Sequence, residues 1–297
     1  MAKFSWSEVF MSIEGEGPYS GWPTVYIRFT GCNMECRGFN NPEMLDTTST
    51  NVLGFDPTDY SNINDIPLIS KGCDSIYAWD EKFKHMWFTG SENELAIVVK
   101  STIPHHEWRN PTSASELPVI LSLTGGEPTL RGKTIPTLLD HPLMLDVHIL
   151  LIETNCSVPL HPSFLEYLEN WVKQPEKRLI WSNSPKLSIS GEPRDKAIRP
   201  EIARAQLDIA SSRDHTVEQY FKFVCASEED FNEVEEVMNM YHINGISYST
   251  PVYIMPAACL EEQQQNIAAS IADLCIKRGY IYCHRIQNSV FGNGVGT

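Results

Sequence analysis

Residues 24–36 read TVYIRFTGCNMEC, and this stretch decides how the rest of the chain is interpreted. Its first six residues are a short apolar run, which is typical of a buried β-strand. Cys32 and Cys36 follow directly at C-x3-C spacing. Cysteines clustered in this way indicate a metal or catalytic site more often than a disulfide. The stretch therefore predicts a strand that ends at a chemically active loop.

Six further apolar runs have the same character. Together with the run at 24–29, they give seven predicted strands: 24–29, 118–123, 147–152, 178–182, 220–224, 251–255 and 280–286. Apolar character without alternation suits strands that are covered on both faces, as in a parallel sheet. Amphipathic helices are predicted between them, at 91–102, 161–173, 227–240 and 260–278. This alternation predicts an α/β fold, either doubly wound or a partial barrel.

Two polar segments, 37–72 and 103–117, interrupt the alternation and are predicted to be long surface insertions. No internal repeat or low-complexity linker separates parts of the chain. We therefore expect a single domain over 1–297.

Charge and composition exclude some classes of function. The net charge of −15 repels phosphate backbones, so general binding to nucleic acid or to an anionic membrane is not expected. No apolar run reaches the length of a membrane span. The first ten residues, MAKFSWSEVF, lack the features of a signal peptide, so we expect a cytoplasmic protein.

The segments that follow the predicted strands carry the chemistry. They read TGCNMEC, TGGEPTLR, ETNCS, NSPK and PAAC. In parallel α/β folds the active site forms at the carboxyl ends of the strands. We therefore expect these five segments to meet.

The cysteines suit an iron–sulfur cluster. Three thiolates can hold three irons of a [4Fe–4S] cluster and leave the fourth iron open to a ligand such as S-adenosylmethionine (SAM). Phe39 stands where the common C-x3-C-x2-C spacing would put the third cysteine, and the next cysteine is Cys73. A zinc site, or two unrelated cysteines, is the alternative reading of this spacing.

The TGGEP segment (124–128) supports a ligand site. Gly125 and Gly126 allow the backbone to approach a ligand closely, and Glu127 offers an acceptor for an ammonium group. The other cysteines have no ligand spacing; we expect Cys225 and Cys275 to be buried as small hydrophobic side chains, and Cys283 likewise.

Several segments together resemble a known family. They are FMSIEGEGPYSGWPTVYIRFTGCNMEC (10–36), CDSIYAW (73–79), TGGEP (124–128), ETN (153–155) and SPK (184–186). The chain resembles the radical SAM superfamily and, within it, the family of 7-carboxy-7-deazaguanine synthases. The resemblance implies an α/β fold in the form of a partial, incomplete TIM-like barrel, with parallel strands and outer helices.

The resemblance also implies a reaction. The family are lyases of queuosine and 7-deazapurine biosynthesis, which convert 6-carboxy-5,6,7,8-tetrahydropterin to 7-carboxy-7-deazaguanine with loss of ammonia. A 5′-deoxyadenosyl radical made from SAM at a reduced [4Fe–4S] cluster starts the reaction, and Mg²⁺ assists it. The implied partners are the pterin substrate, an electron donor such as flavodoxin or ferredoxin, and a second copy of the chain in a homodimer.

Residue roles follow from the same resemblance, with no classical acid or base among them. Cys32, Cys36 and Cys73 would bind the cluster, and Ser75 would bind Mg²⁺ through a hard hydroxyl oxygen. The implied substrate-binding residues are Ile13, Glu14, Gly15, Arg28, Thr124 and the terminal Thr297. The implied SAM-binding residues are Asp74, Gly126, Glu127, Ser184, Pro185, Lys186, Met255 and Pro256.

The chain departs from the family pattern at three places. Glu14 stands where glutamine is usual, residues 37–72 separate the last two cluster cysteines, and Gly72 replaces an aromatic residue, so adenine must stack elsewhere. Outside the motifs, we expect Tyr77 and Trp79 to be core aromatics.

Two other functions remain open at this point. Another radical SAM enzyme, such as a glycyl-radical activase, would need only the cluster cysteines and GGEP, and would leave Ser75 and SIEGEG unexplained. A non-enzymatic zinc-binding protein would use Cys32, Cys36, Cys73 and one further ligand.

Overall fold

The computed structural model describes residues 2–112, 117–209, 216–292 and 294–296. Its strands are β1 Lys3–Ile13, β2 Pro23–Phe29, β3 Phe88–Ser91, β4 Ile120–Gly125, β5 Ile149–Thr154, β6 Arg178–Asn183, β7 Val217–Cys225, β8 Val252–Pro256 and β9 Ile281–Tyr282. Its α-helices are α1 Thr50–Leu53, α2 Glu92–Thr102, α3 Ile135–Leu139, α4 Pro162–Val172, α5 Arg194–Ala197, α6 Pro200–Asp208, α7 Glu228–Ile243, α8 Glu261–Arg278 and α9 Ile286–Phe291.

In this part of the chain the strands form one sheet in the order β3-β1-β2-β4-β5-β6-β7-β8-β9. From β2 to β9 all neighbouring strands are parallel, whereas β1 pairs antiparallel with both β2 and β3. The first and last strands of the order do not pair among the described residues, so the sheet is an open, incomplete barrel. This confirms the predicted fold class.

The two faces of the parallel strands differ. One face packs on the helices in the main core, where Leu150, Trp181 and Phe223 are fully buried. On the other face, apolar side chains such as Ile149 and Ile180 lie near the strand beginnings and form a separate cluster. Side chains alternate along a strand, so every second residue points to this inner face. Towards the strand ends the residues on this face are polar, such as Glu153, Ser182 and Lys222.

The helix predictions are confirmed. Ser91 caps α2 and Ser227 caps α7, each in a reciprocal capping box with the residue three positions later. Gly279 ends α8 in the left-handed conformation (φ 77°). Each of these helices packs its apolar stripe against the sheet, which places the strand-to-helix loops at one end of the barrel.

One predicted strand was too long, and two strands, β1 and β3, were not predicted. Of the predicted strand 280–286, only Ile281–Tyr282 is strand, because Arg285 turns towards Glu16 and α9 begins directly afterwards. β1 was not predicted; its sequence KFSWSEVFMSI mixes polar with apolar residues, since this strand joins the sheet antiparallel.

The 37–72 segment is more than a surface insertion. Phe55, Ile63 and Ile66 form a small second core together with residues 76–86. Within 103–117, the described part likewise buries Trp108, whose indole N–H donates to the carbonyl oxygen of Leu143 at 2.9 Å. Residues 113–116 lie outside the described chain.

Candidate active site

A cavity of about 260 Å³ lies at the carboxyl ends of the parallel strands. The segments after β2, β4, β5, β6 and β8 all contribute to its wall, as predicted from their positions. β7 adds Lys222 and Val224. Residues 67–69 of the insertion and 294–296 near the chain end also line it. The polar ends of the inner sheet face therefore become the wall of one site.

The three cysteines predicted to hold the cluster line this cavity together. Burial and the carboxylate of Glu127 raise the pKa of the Cys32 thiol to about 12, and burial holds the pKa of Cys36 well above its ordinary value. Cys73 lies close enough to raise the pKa of both thiols further. Thiolates form in such a place only beside a cation, and iron supplies one.

This donor set fits a [4Fe–4S] cluster. Among the described residues, no three His, Cys, Asp or Glu side chains converge on a single metal ion. A cluster places a weaker demand on its ligands, because each thiolate binds a different iron. Cys36 also has a left-handed backbone (φ 48°), a conformation that is uncommon for a residue with a side chain and recurs at functional sites.

The two glycines of TGGEP pack against the loop that carries the first cysteine. A Cβ on Gly126 would lie 2.2 Å from the carbonyl oxygen of Gly31, and one on Gly125 would lie 2.1 Å from that of Phe29. Gly126 N–H donates to Phe29 at 3.1 Å and Glu127 N–H donates to Gly31 at 2.9 Å. The close approach that requires glycine is thus to the cysteine loop.

Glu127 does not line the cavity. Its carboxylate is fully buried and accepts hydrogen bonds from the backbone N–H and hydroxyl of Thr129, the hydroxyl of Thr154 (2.8 Å) and the backbone N–H of Asn155 (2.7 Å). It therefore ties the loop after β4 to the loop after β5. A contact between its side chain and SAM stays a prediction.

Most other residues predicted for SAM lie in the wall. They are Asp74, Gly126, Ser184, Lys186, Met255 and Pro256. Pro185 is not in the wall. Lys186 Nζ lies 3.1 Å from Ser184 Oγ, which holds the ammonium group at this side of the cavity.

The insertion leaves and rejoins the cysteine loop at one point. Gly72 N–H donates to the carbonyl oxygen of Phe39 at 2.6 Å, and both residues line the cavity. Gly72 has φ 72°, and a Cβ there would lie 2.4 Å from Thr47 Cγ2. A side chain at residue 72 would therefore need both backbone and neighbour to move, so an aromatic ring for adenine has to come from another wall residue, such as Phe39 or Trp79.

Among the residues predicted to bind substrate, Ile13, Glu14, Gly15, Arg28 and Thr124 line the cavity. Thr297 lies outside the described residues. Ser75, predicted for Mg²⁺, is also in the wall, with its hydroxyl 3.4 Å from Cys73 Sγ.

Arg28 is oriented by its neighbours on β1 and after the insertion. Its Nε donates to Glu8 Oε1, and its guanidinium carbon lies 5.7 Å from the ring centroid of Tyr77 and 5.9 Å from that of Phe10. Tyr77 donates its hydroxyl proton to the same Glu8 oxygen at 2.9 Å. Tyr77 and Trp79 both line the cavity, so reading them as core aromatics was incomplete.

Sequence analysis missed a buried ionic network in the same wall. Lys222 Nζ lies 2.6 Å from Glu16 Oε2 and 3.2 Å from Glu153 Oε1. Arg285 bridges Glu16 at 3.0 Å and Asp74 at 2.6 Å. Lys222 is only 3% exposed. A lysine inside the apolar run YFKFV was the available signal, because a buried lysine needs partners.

Three further cysteines are buried as predicted, and a fourth lies in the cavity wall. Cys225, Cys275 and Cys283 are buried outside the cavity wall. Cys259, which no spacing marked, lies in the wall. In the described part of the chain, no helix is long and apolar enough to cross a membrane.

Comparisons with known proteins show which proteins the chain is similar to. A protein named 7-carboxy-7-deazaguanine synthase from Rhodopirellula baltica is 27% identical over 303 residues, which cover 98% of this chain and 88% of that protein. One of the same name from Clostridium acetobutylicum is 24% identical, over 84% of this chain and 79% of that protein. No family model matches the chain.

The crystal structure of QueE from Escherichia coli superposes with a TM-score of 0.52 at 15% identity, over 95% of this chain and 93% of that one. The fold of this chain is therefore shared with the QueE structure. The sequence of this chain is similar to those of proteins named 7-carboxy-7-deazaguanine synthase, which confirms the resemblance drawn from the sequence.

Proposed function

We propose that this protein is a radical SAM lyase that converts 6-carboxy-5,6,7,8-tetrahydropterin to 7-carboxy-7-deazaguanine with loss of ammonia. The observation that carries the proposal is that one cavity brings the three cysteines together with Arg28. The similarity to 7-carboxy-7-deazaguanine synthases extends over 98% of the chain and supports the same reaction.

When bound, the [4Fe–4S] cluster and SAM would supply the radical chemistry that removes a hydrogen atom from C6 of the pterin. Cys32, Cys36 and Cys73 hold the cluster. Lys186, beside Ser184, would bind the carboxylate of SAM as a charged donor.

Arg28 binds the carboxylate of the pterin. Glu8 occupies its Nε and Tyr77 lies against its guanidinium plane, so the group is oriented before the substrate arrives. A preoriented guanidinium loses less conformational entropy on binding and presents a planar fork to a carboxylate.

The protein holds the rest of the pterin by its shape and by the ionic network. Glu16 and Glu153 are fixed by Lys222, so their carboxylate oxygens keep constant positions in the wall. The insertion contributes residues 67–69 to the wall, where they would restrict the access of water to a radical reaction.

Further parts of the proposal rest on the sequence resemblance. Ser75 Oγ would be a ligand of Mg²⁺, for which a hydroxyl oxygen at the wall is suitable. An electron donor such as flavodoxin or ferredoxin, a homodimer and a cytoplasmic location stay predictions of the same kind.

The test is an anaerobic reaction of reconstituted protein with SAM, dithionite, Mg²⁺ and 6-carboxytetrahydropterin, followed by mass spectrometry. We expect 7-carboxy-7-deazaguanine. SAM cleavage to 5′-deoxyadenosine without this product would keep the radical SAM class and reject the substrate. An intact cluster with no SAM cleavage under these conditions would reject the proposed enzyme.

A further inference from the structure

Glu14 is a buried carboxyl group in the wall of the site. It is 1% exposed and follows directly after β1. Its backbone is held on both sides by the turn before β2, since its N–H donates to Trp22 and its carbonyl oxygen accepts from Gly21, each at 2.7 Å. These bonds fix the backbone from which the buried side chain projects.

The charges around Glu14 do not balance an ionised carboxylate there. The titratable groups that face it are Tyr26 on β2, Glu153 on β5, Tyr220 and Lys222 on β7, Cys283 after β9, and Glu16 in its own loop. The one cation among them, Lys222, is bridged to Glu16 and Glu153, and no salt bridge reaches Glu14 among the described residues. An unpaired buried charge is costly, whereas a neutral carboxyl group is not.

The hydrogen bonds of Glu14 suit the neutral acid. Tyr26 Oη lies 3.1 Å from Glu14 Oε2 and 3.3 Å from the carbonyl oxygen of Ile13, but the phenol has one proton. A protonated Oε2 can donate to Tyr26, which then donates to Ile13, while Glu16 N–H donates to Oε1 at 3.2 Å. A glutamine amide would make the same set of bonds.

We propose that Glu14 is a neutral carboxylic acid in the working enzyme, and that this specificity-determining residue admits an anionic substrate only while it is uncharged. The proposal rests on the proposed function, because it takes the carboxylated pterin as the substrate. An ionised Glu14 would add a third carboxylate beside Glu16 and Glu153, and this would repel the pterin carboxylate. Burial and the nearby Glu153 raise the pKa of Glu14 to about 8, which agrees with the geometry.

The protonation state is measured first, in protein without substrate. Infrared difference spectra between the native chain and Glu14→Gln, recorded from pH 6 to pH 9.5, isolate the carbonyl stretch of a protonated carboxyl group. We expect this band at neutral pH and its loss as the pH rises through about 8. Absence of the band at pH 6.5 would overturn the proposal whatever the enzyme's substrate is.

Binding is measured next, with reconstituted holoenzyme and 6-carboxytetrahydropterin under anaerobic conditions over the same pH range. For the native chain, Kd should rise above pH 8 by up to about tenfold per pH unit, as expected for one ionising group. Glu14→Gln should remove this rise, and titration of the pterin itself is common to both proteins. An equal rise in both would overturn the proposal.

The two measurements separate this inference from the proposed function. If the carbonyl band is present but the pterin binds at no pH, the proposed substrate is wrong, and the role of Glu14 in admitting it falls too. If the pterin binds and is converted, but its Kd rises with pH equally in the native chain and in Glu14→Gln, the proposed function stands and only this inference is overturned.

Discussion

At the scale of single residues, the site depends on side chains that are held by their neighbours. Arg28 is fixed by Glu8 and Tyr77, and the strong electrostatic partnership with these groups keeps the pKa of the guanidinium above its ordinary value despite burial. The sequence could predict that an arginine at the end of an apolar strand needs a partner. It could not predict that Glu8 is that partner, because β1 was not recognised as a strand.

The role of Arg28 is testable by kinetics. Arg28→Ala should raise the KM for the carboxylated pterin by about 10- to 100-fold, which corresponds to the loss of a charge-assisted hydrogen bond. Arg28→Lys should recover only part of this, because an ammonium group lacks the planar fork. Arg178→Ala, which breaks a pair with Glu218 outside the cavity wall, is the control. A larger change in SAM binding than in pterin KM would contradict the role.

The third cluster ligand is tested by iron content. Cys73→Ala should lose most of the iron and the visible absorption of the reconstituted protein, since one of three thiolates is removed. Cys275→Ala, at a buried cysteine outside the cavity, should retain both. A full [4Fe–4S] cluster in Cys73→Ala would show that another residue, such as Cys259 in the same wall, is the ligand.

At the scale of elements, the segment after β4 holds the cysteine loop after β2. TGGEP was read from the sequence as a segment that approaches a ligand. In the structure its glycines contact the backbone of Phe29 and Gly31, and Glu127 joins it to the loop after β5. The sequence predicted that this motif makes a close approach. It could not predict that the partner is the cysteine loop, because this depends on the pairing of β2 with β4.

This role of the segment predicts the effect of one methyl group. Gly126→Ala would place a Cβ 2.2 Å from the Gly31 carbonyl oxygen, so the cysteine loop must shift. We expect a loss of cluster iron of at least half, with the fold retained by circular dichroism. Gly279→Ala, at the left-handed end of α8, should cost about 1 kcal/mol of stability with no loss of iron. Normal cluster content in Gly126→Ala would show that the segment after β4 does not hold the cysteine loop in place.

At the scale of the whole molecule, the inner face of the barrel has an apolar cluster and, at the carboxyl ends of the strands, a cavity lined by charged side chains. The inner face is apolar at the strand beginnings and carries Lys222 and Glu153 at the ends. Although burial acts to raise it, Lys222 and Arg285 hold the pKa of Glu16 below its ordinary value. A lowered carboxyl pKa stabilises the fold above the ordinary pKa, and this contribution is lost as the pH falls through the lowered value.

Removal of Lys222 should therefore have a pH-dependent cost. Lys222→Met leaves Glu16 and Glu153 without their shared cation, and we expect a loss of about 3 kcal/mol in the free energy of unfolding at pH 7. The deficit should shrink in acid, because Glu16 of the variant, without Lys222, takes up a proton at a higher pH than Glu16 of the native chain. Urea unfolding of the cluster-free protein at several pH values measures this, with exposed Lys173→Met as the control. A deficit that does not vary with pH would indicate lost packing alone.

The sequence by itself determined the α/β class, the capped helices, most of the parallel strands and the cysteine motif, because these depend on local periodicity, capping chemistry and short-range spacing. Only the tertiary fold places Gly72, at the end of the 37–72 insertion, against Phe39 and brings residues 67–69 into the cavity wall. It likewise brings Lys222 and Arg285 to Glu16. It also decided that Glu14 has no cation of its own among the described residues. These features join residues that are far apart in the chain, so they follow from which strands pair and which faces turn inward.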